Sequence, residues 1–186
     1  MTTLATPRVL LRDWRDADLA PFAALNADPE VMRYFPAPLR REESDALAAR
    51  IRDFLAEHGW GLWAAEHEGR FIGFVGLQRP RFVADFTPCV ELAWRLARDA
   101  QGCGLATEAG FAARDFAVAR LSGEALVSFT TVTNRPSRRV MEKLGLVYER
   151  SFEHPLLGEG HPLRTHVLYR YSTKKSGVGS TSGSTL

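Results

Sequence analysis

Gln101-Gly102-Cys103-Gly104-Leu105-Ala106, followed by Thr107 and Glu108, carries two glycines where an apolar run gives way to an amphipathic one. Glycines at a helix start let backbone approach a ligand closely, and the first-turn N–H groups have no partner within the helix, so the stretch reads as an anion cradle. The pattern narrows the anion. A dinucleotide site needs a third glycine and an acidic residue on a later strand, whereas Glu108 comes too early. A nucleoside triphosphate loop needs Lys-Ser or Lys-Thr after the last glycine, where this chain has Leu105-Ala106-Thr107. What remains is backbone recognition of a pyrophosphate that is held and not cleaved, as a carrier of acyl groups requires.

The elements that must position this loop follow from periodicity. Residues 9–11 form a short strand; residues 16–27 form a helix capped by Asp16, with Leu19, Phe22 and Ala23 on one face. A second helix spans 42–57, where Leu47, Ile51, Phe54 and Leu55 recur at helical spacing before Gly59. Runs at 60–67 and 70–78 are strand-like and separated by Glu68-Gly69, an antiparallel hairpin signal. After a loop at 79–88 come a strand at 89–96, the glycine loop and a helix over 107–120, with Ala109, Ala112, Phe116 and Ala117 inward. A β-branched run at 125–131 leads to Asn134, which caps a helix with Pro136 in its first turn and Gly145 at its end. Strands at 147–152 and 165–171 close the domain. The fold class is therefore α/β (α+β), a mixed, largely antiparallel twisted sheet flanked by helices.

A chain of 186 residues is long enough for one domain with a sizeable core, taken as 1–172. Residues 173–186 turn to Ser, Gly, Thr and Lys with few apolar side chains, the composition of a disordered tail. Lys and Arg number 24 against 22 Asp and Glu, a formal charge of +2, so no field recommends a nucleic acid or a membrane surface as partner. The start of the chain lacks a leader pattern, no apolar run approaches spanning length, and Cys89 and Cys103 show neither metal nor redox spacing. A cytoplasmic protein is expected. Among the five histidines none forms a pair at helical metal-ligand spacing, so no metal is expected.

The glycine loop resembles the Gln/Arg-x-x-Gly-x-Gly/Ala signature of the GNAT superfamily of N-acetyltransferases, with Gln101, Gly104 and Ala106 at its fixed positions. Val90-Glu91-Leu92-Ala93-Trp94-Arg95-Leu96 resembles the strand that precedes it in the family, and Asn134-Arg135-Pro136-Ser137 with Glu142-Lys143-Leu144-Gly145-Leu146 resembles the cofactor-side helix. The resemblance covers roughly Pro7 to Tyr171 and is closest to the branch of the ribosomal-protein alanine N-acetyltransferases. It implies acetyl-CoA as cosubstrate, lying in a wedge where two parallel strands splay. It also implies backbone contacts from Trp94, Arg95 and Leu96, a pyrophosphate over Gln101 to Thr107 (Gln101, Gly102, Cys103, Gly104, Leu105, Ala106, Thr107), and Asn134 and Ser137 on the cofactor side.

An amine attacks a thioester only when unprotonated, and its reference pKa is roughly 8 at a chain terminus and roughly 10 on lysine, so a base is useful. Glu91, a charge inside an apolar strand, is the expected base, acting directly or through water; Glu66 and His67 on a neighbouring strand are its rivals. Many relatives protonate the leaving thiolate with a tyrosine seven positions after the asparagine, which here is Met141; the resemblance instead offers Ser137 as the acid. Arg135, Arg138 and Arg139 read as a solvated helix face in preference to a site for the adenosine-side phosphate. The resemblance implies that residues 33–38 and 82–88 border the acceptor side and that the acceptor is a primary amine on a peptide or a small molecule; monomer and homodimer both stay open. A non-catalytic acyl-CoA sensor or interaction module is the alternative, with Met141 as its foothold; a nucleotide-binding protein is more distant.

Overall fold

A computed structural model describes residues 2–121 and 123–172. The expected 173–186 tail lies outside the described residues. Eight strands form one sheet: β1 (Leu4–Ala5), β2 (Leu10–Arg12), β3 (Leu62–His67), β4 (Arg70–Gln78), β5 (Val90–Leu96), β6 (Leu126–Thr131), β7 (Leu146–Glu153) and β8 (Thr165–Tyr171), in the order β1-β2-β3-β4-β5-β6-β8-β7. The helices are α1 (Leu19–Ala27), α2 (Pro29–Met32), α3 (Arg41–His58), α4 (Leu105–Arg120) and α5 (Arg135–Lys143). Every neighbouring pair is antiparallel except β5 and β6.

That exception creates the site. β5 and β6 pair in parallel only at Val90↔Leu126 and Glu91↔Val127. Beyond Glu91 the two strands share no register, so the backbone edges of both stand free to meet something other than each other. β5 stays fixed on its other side by six residues of pairing with β4, from Gly73↔Leu96 to Gln78↔Glu91.

Period-two alternation decides which side chains look which way. Trp94 lies opposite Val75, and Val75 opposite Trp63, whose ring meets Phe116 of α4 edge-on at 5.3 Å; this is the α4 face. Glu91, Ala93 and Arg95 occupy the other face, where Arg95 meets Asn26 of α1. Trp14, Phe22, Phe71 and Phe74 form an aromatic cluster there, with centroids from 4.8 to 6.3 Å apart. The expected inward residue Ala112 on α4 is replaced by Ala113, with Leu105, Ala109, Gly110 and Ala117 completing the buried stripe.

Several local expectations meet the structure directly. Glu68 and Gly69 both have positive φ, 51° and 74°, the conformation a two-residue hairpin with right-handed strands demands. Gly59 closes α3 in the left-handed region, its N–H donating to the Leu55 carbonyl. Asp16 does not cap α1, however. The helix is preceded by a short 3-10 turn, and Asp18 takes the organising role: its carboxylate accepts from the Arg15 backbone N–H at 2.7 Å and from both terminal nitrogens of Arg12 at 2.7 and 2.9 Å. The β1 strand and the single turn of α2, too short for a periodic signal, are additional; Asp28 caps α2 through the Glu30 N–H at 2.8 Å.

Candidate active site

The splayed strands open onto a cleft of about 730 Å³ that runs from the glycine loop, past β5, to an aromatic-lined chamber on the α1 face. Its volume is that of a small-molecule site. At one end α4 begins at Leu105, two residues before the expected start, because Gly104 is its cap and sits in the left-handed region at φ 82°. Gly102 does the same at φ 76°. No side chain caps this helix, and the first intrahelical bond runs from Glu108 N–H to the Gly104 carbonyl. The N–H groups of Leu105, Ala106 and Thr107 therefore face the cleft as an anion site built from backbone alone.

The loop is braced from both sides. Gln101 Nε2 donates to the Leu96 carbonyl at 2.9 Å, tying the loop to the end of β5. Glu108 accepts from Thr6 Oγ1, from the Arg8 backbone N–H and from Arg8 Nε, each at 2.7 Å, and Arg8 Nη1 reaches the Cys103 carbonyl at 3.1 Å. The turn before β2, about a hundred residues away in sequence, thus clamps the start of α4; separation on that scale leaves no local sequence signal. Cys103 is exposed, and its thiol donates within the loop to the Gln101 carbonyl.

At the point where β5 and β6 part stands Glu91, only 7% exposed. Burial pushes its carboxyl up to about 7, opposed only by a hydrogen bond from Gln78 Nε2 at 2.8 Å. A carboxyl that titrates near neutrality beside a cleft is what a general base at pH 7 requires. The rivals stand away from the cleft. Glu66 accepts from Arg12 Nε at 2.7 Å and Arg15 Nη1 at 3.0 Å, and His67 Nδ1 bonds the Arg8 carbonyl at 2.8 Å; neither lines the cleft.

On the β6 side Asn134 performs the cap read from sequence: its Oδ1 accepts from the Ser137 N–H at 3.3 Å and its Nδ2 donates to Thr130 Oγ1 at 2.9 Å. Both amide ends are satisfied, which fixes the entrance of α5 beside the cleft. The half-buried Ser137 lines the cleft, and its hydroxyl has no partner among the described residues. Met141 also lines it, 1% exposed. The three arginines of α5 divide. Arg138 is structural, donating to Tyr169 Oη at 3.3 Å and the Val132 carbonyl at 3.2 Å, while Arg139 and Lys143 line the cleft and Arg135 does not.

Trp94, Arg95 and Leu96 all line the cleft, as do Gln101, Gly102, Gly104, Leu105, Ala106 and Thr107; Cys103 alone of the expected set does not. Sequence reasoning missed Gln78, whose role depends on its register opposite Glu91, and the side chain of Arg95, visible as a second charge four residues along the same apolar strand. It also missed the pairing of His154 and His166, whose rings lie 4.7 Å apart in the far wall. Burial lowers both, His154 to about 4 with help from His166, so the wall is uncharged at neutral pH.

A sheet parted between two parallel strands, with a backbone anion cradle on one side and a carboxyl raised toward neutrality at the fork, fits an enzyme that draws an acyl group from a pyrophosphate-bearing carrier. A family model described as "Acetyltransferase (GNAT) domain" matches residues 8–147, and the chain belongs to that family. An acetyltransferase from Agrobacterium tumefaciens str. C58 superposes with a TM-score of 0.74 at 27% identity, covering 92% of this chain and 95% of that one. RimJ of Mycobacterium smegmatis, solved in complex with CoA-disulfide, shares the fold with a TM-score of 0.71 at 20% identity, over 92% and 86%. The uncharacterized protein YkkB of Bacillus subtilis (strain 168) is 29% identical over 153 residues, 81% of this chain and 88% of YkkB. Among the described residues no helix is long and apolar enough to cross a membrane.

Proposed function

We propose that the protein transfers the acetyl group of acetyl-CoA to a primary amine by direct attack within a ternary complex. The observation that carries this reading is the position of Glu91: a buried carboxyl raised to about 7, at the fork of the strands, in one continuous cleft with the glycine loop. The residues fit the cosubstrate. The N–H groups of Leu105 to Thr107 suit a pyrophosphate, Arg139 and Lys143 line the same cleft and suit a further phosphate, and the edge of β5 turned away from β4 at Trp94 to Leu96, which β6 does not pair, suits a chain of amides.

Acetyl-CoA bound there supplies an activated acyl group. Glu91, about half carboxylate at pH 7, removes a proton from the ammonium form of the acceptor, directly or through one water, and leaves a nucleophilic amine. A backbone N–H on the free edge of β5 stabilises negative charge as it develops on the carbonyl oxygen. Ser137, on the opposite wall, donates its hydroxyl hydrogen toward the departing sulfur; with Met141 at the position where relatives carry tyrosine, it is the hydroxyl on α5 suited to that task. The free thiols of Cys89 and Cys103 support a reducing, cytoplasmic setting.

Ser137→Ala tests the acid assignment. Turnover is expected to fall by about tenfold to a hundredfold, the scale of a single hydrogen bond to a charged atom, with acetyl-CoA affinity little changed. Equal turnover of variant and native protein with one amine would remove Ser137 from the mechanism.

A further inference from the structure

Arg95 is anomalous for a residue of the sheet interior. Its side chain points into the acceptor face of the cleft, its guanidinium lying 4.1 Å from the ring centre of Phe35 and 5.5 Å from that of Phe74. Nη1 donates to Asn26 Oδ1 at 2.6 Å. Asn26 is itself buried and oriented by its own donation to Ser44 Oγ at 2.9 Å, so the guanidinium is held by a neutral relay from α1 and α3. Nε is buried with no acceptor, and among the described residues no carboxylate lies within 4.0 Å. Burial alone lowers its pKa to about 10, so it stays cationic at neutral pH while no neighbouring charge compensates it.

A largely buried cation without a counter-ion is unfavourable unless a partner arrives, and two aromatic faces offset only part of that. Of the other cations near this chamber, Arg33 pairs with Glu30 and Arg79 with Glu124, while Arg81 stands exposed at the rim, in no ion pair among the described residues. Arg95 is thus an oriented positive charge among aromatic rings, without a carboxylate partner among the described residues, on the same strand face as Glu91 and four residues from it.

We propose that Arg95 is the anion anchor of the acceptor subsite, and that the amine this enzyme acetylates carries a carboxylate that pairs with the Arg95 guanidinium while its amino group faces Glu91. This rests on the acetyltransferase reading and narrows its substrate class to amino carboxylic acids, free or as an acidic group near an acceptor amine. One oriented guanidinium matches one negative charge; a dianionic phosphate would call for a second cation held as Arg95 is, whereas Arg81 is exposed.

The test uses glycine, β-alanine, 4-aminobutyrate and 6-aminohexanoate, each beside its carboxamide, with 2-aminoethyl phosphate as the phosphate arm. Against the full chain with free CoA, the best-fitting acid is expected to raise the thermal unfolding midpoint by about 3 °C at saturating concentration, and its amide by less than about 1 °C. With acetyl-CoA, kcat/KM for that acid is expected to exceed its amide by on the order of 100-fold, a ratio that collapses toward one in Arg95→Gln and is partly kept in Arg95→Lys. The ratio cancels any general effect of the substitution on folding or cofactor binding. An acid preference that survives Arg95→Gln, a native enzyme that treats acids and amides alike, or a preference for the phosphate would overturn the proposal. A midpoint shift without turnover would leave the anion site standing and count against amine acetylation; turnover with a ratio near one would do the reverse.

Discussion

Glu91→Gln is expected to lower kcat/KM for acetyl transfer by about 10² to 10³-fold at pH 7, the scale of losing a positioned general base. Glutamine keeps the shape of the side chain and a bond to Gln78, so the loss isolates the titrating function. The pH dependence carries the sign. In the native enzyme the active form is the carboxylate, so the rate rises with pH through about 7 and then levels; in the variant that inflection disappears. The gap narrows above about pH 9, where an unprotonated amine needs no base. An unchanged pH profile in the variant would exclude Glu91.

The same shift has a consequence for stability. The folded carboxyl titrates near 7 and the unfolded one near its ordinary 4.5, so between those values the unfolded chain sheds a proton that the folded chain keeps. The contribution is fully present below about pH 4.5 and is lost as pH rises through 7, on the order of 3 kcal/mol in total. Glu91→Gln lacks this slope. Denaturant unfolding of both proteins at pH 5 and pH 8 should show the variant gaining on the native protein at the higher pH, so the base is kept at a cost to the fold.

The second large effect belongs to the loop. Gly104 sits at φ 82°, where β-branched residues are strained, and a Cβ there would lie 3.5 Å from Arg8 Nη2, at the head of the helix whose first N–H groups are free. Gly104→Val is expected to weaken acetyl-CoA binding by more than about 100-fold and to destabilise the fold by about 1–2 kcal/mol. Gly104→Asn separates the two consequences, because asparagine tolerates the left-handed region: it should fold normally and still lose much of the affinity. Titration calorimetry with acetyl-CoA on both variants decides this, and native affinity in a folded Gly104→Val protein would place the pyrophosphate elsewhere.

What sequence could reveal was local. The Glu68-Gly69 turn, the Asn134 cap and the glycine loop each depend on a few neighbouring residues with a defined backbone need, and each is found where those residues stand. Glu91 was visible because a carboxylate in an apolar strand costs energy without a purpose. Relations across the sheet were not visible. Gln78 meets Glu91 only through the β4–β5 register, Arg12 reaches Asp18 and Glu66 from a strand 54 residues before the latter, and Arg8 finds Glu108 a hundred residues on. The reach of Arg12 explains why Asp18, and not Asp16, organises α1, and why Glu66, read from sequence as a rival base, is held by two arginines. Arg95 was assigned for its backbone, since only the packing of α1 against β5 shows that its side chain has no counter-ion.

Met141, buried at the position where the family resemblance implies a tyrosine acid in many relatives, is the foothold of the sensor reading, and since a sensor and an enzyme would both bind acetyl-CoA, binding alone does not separate them. Release of free CoA thiol from acetyl-CoA, followed with and without a panel of primary amines and paired with mass spectrometry of the acceptor, does. Amine-dependent thiol release, an acceptor heavier by one acetyl group and a rate inflection near pH 7 are the expected result. Micromolar binding of acetyl-CoA by folded protein with no amine-dependent release at any pH would contradict it and make the chain a sensor.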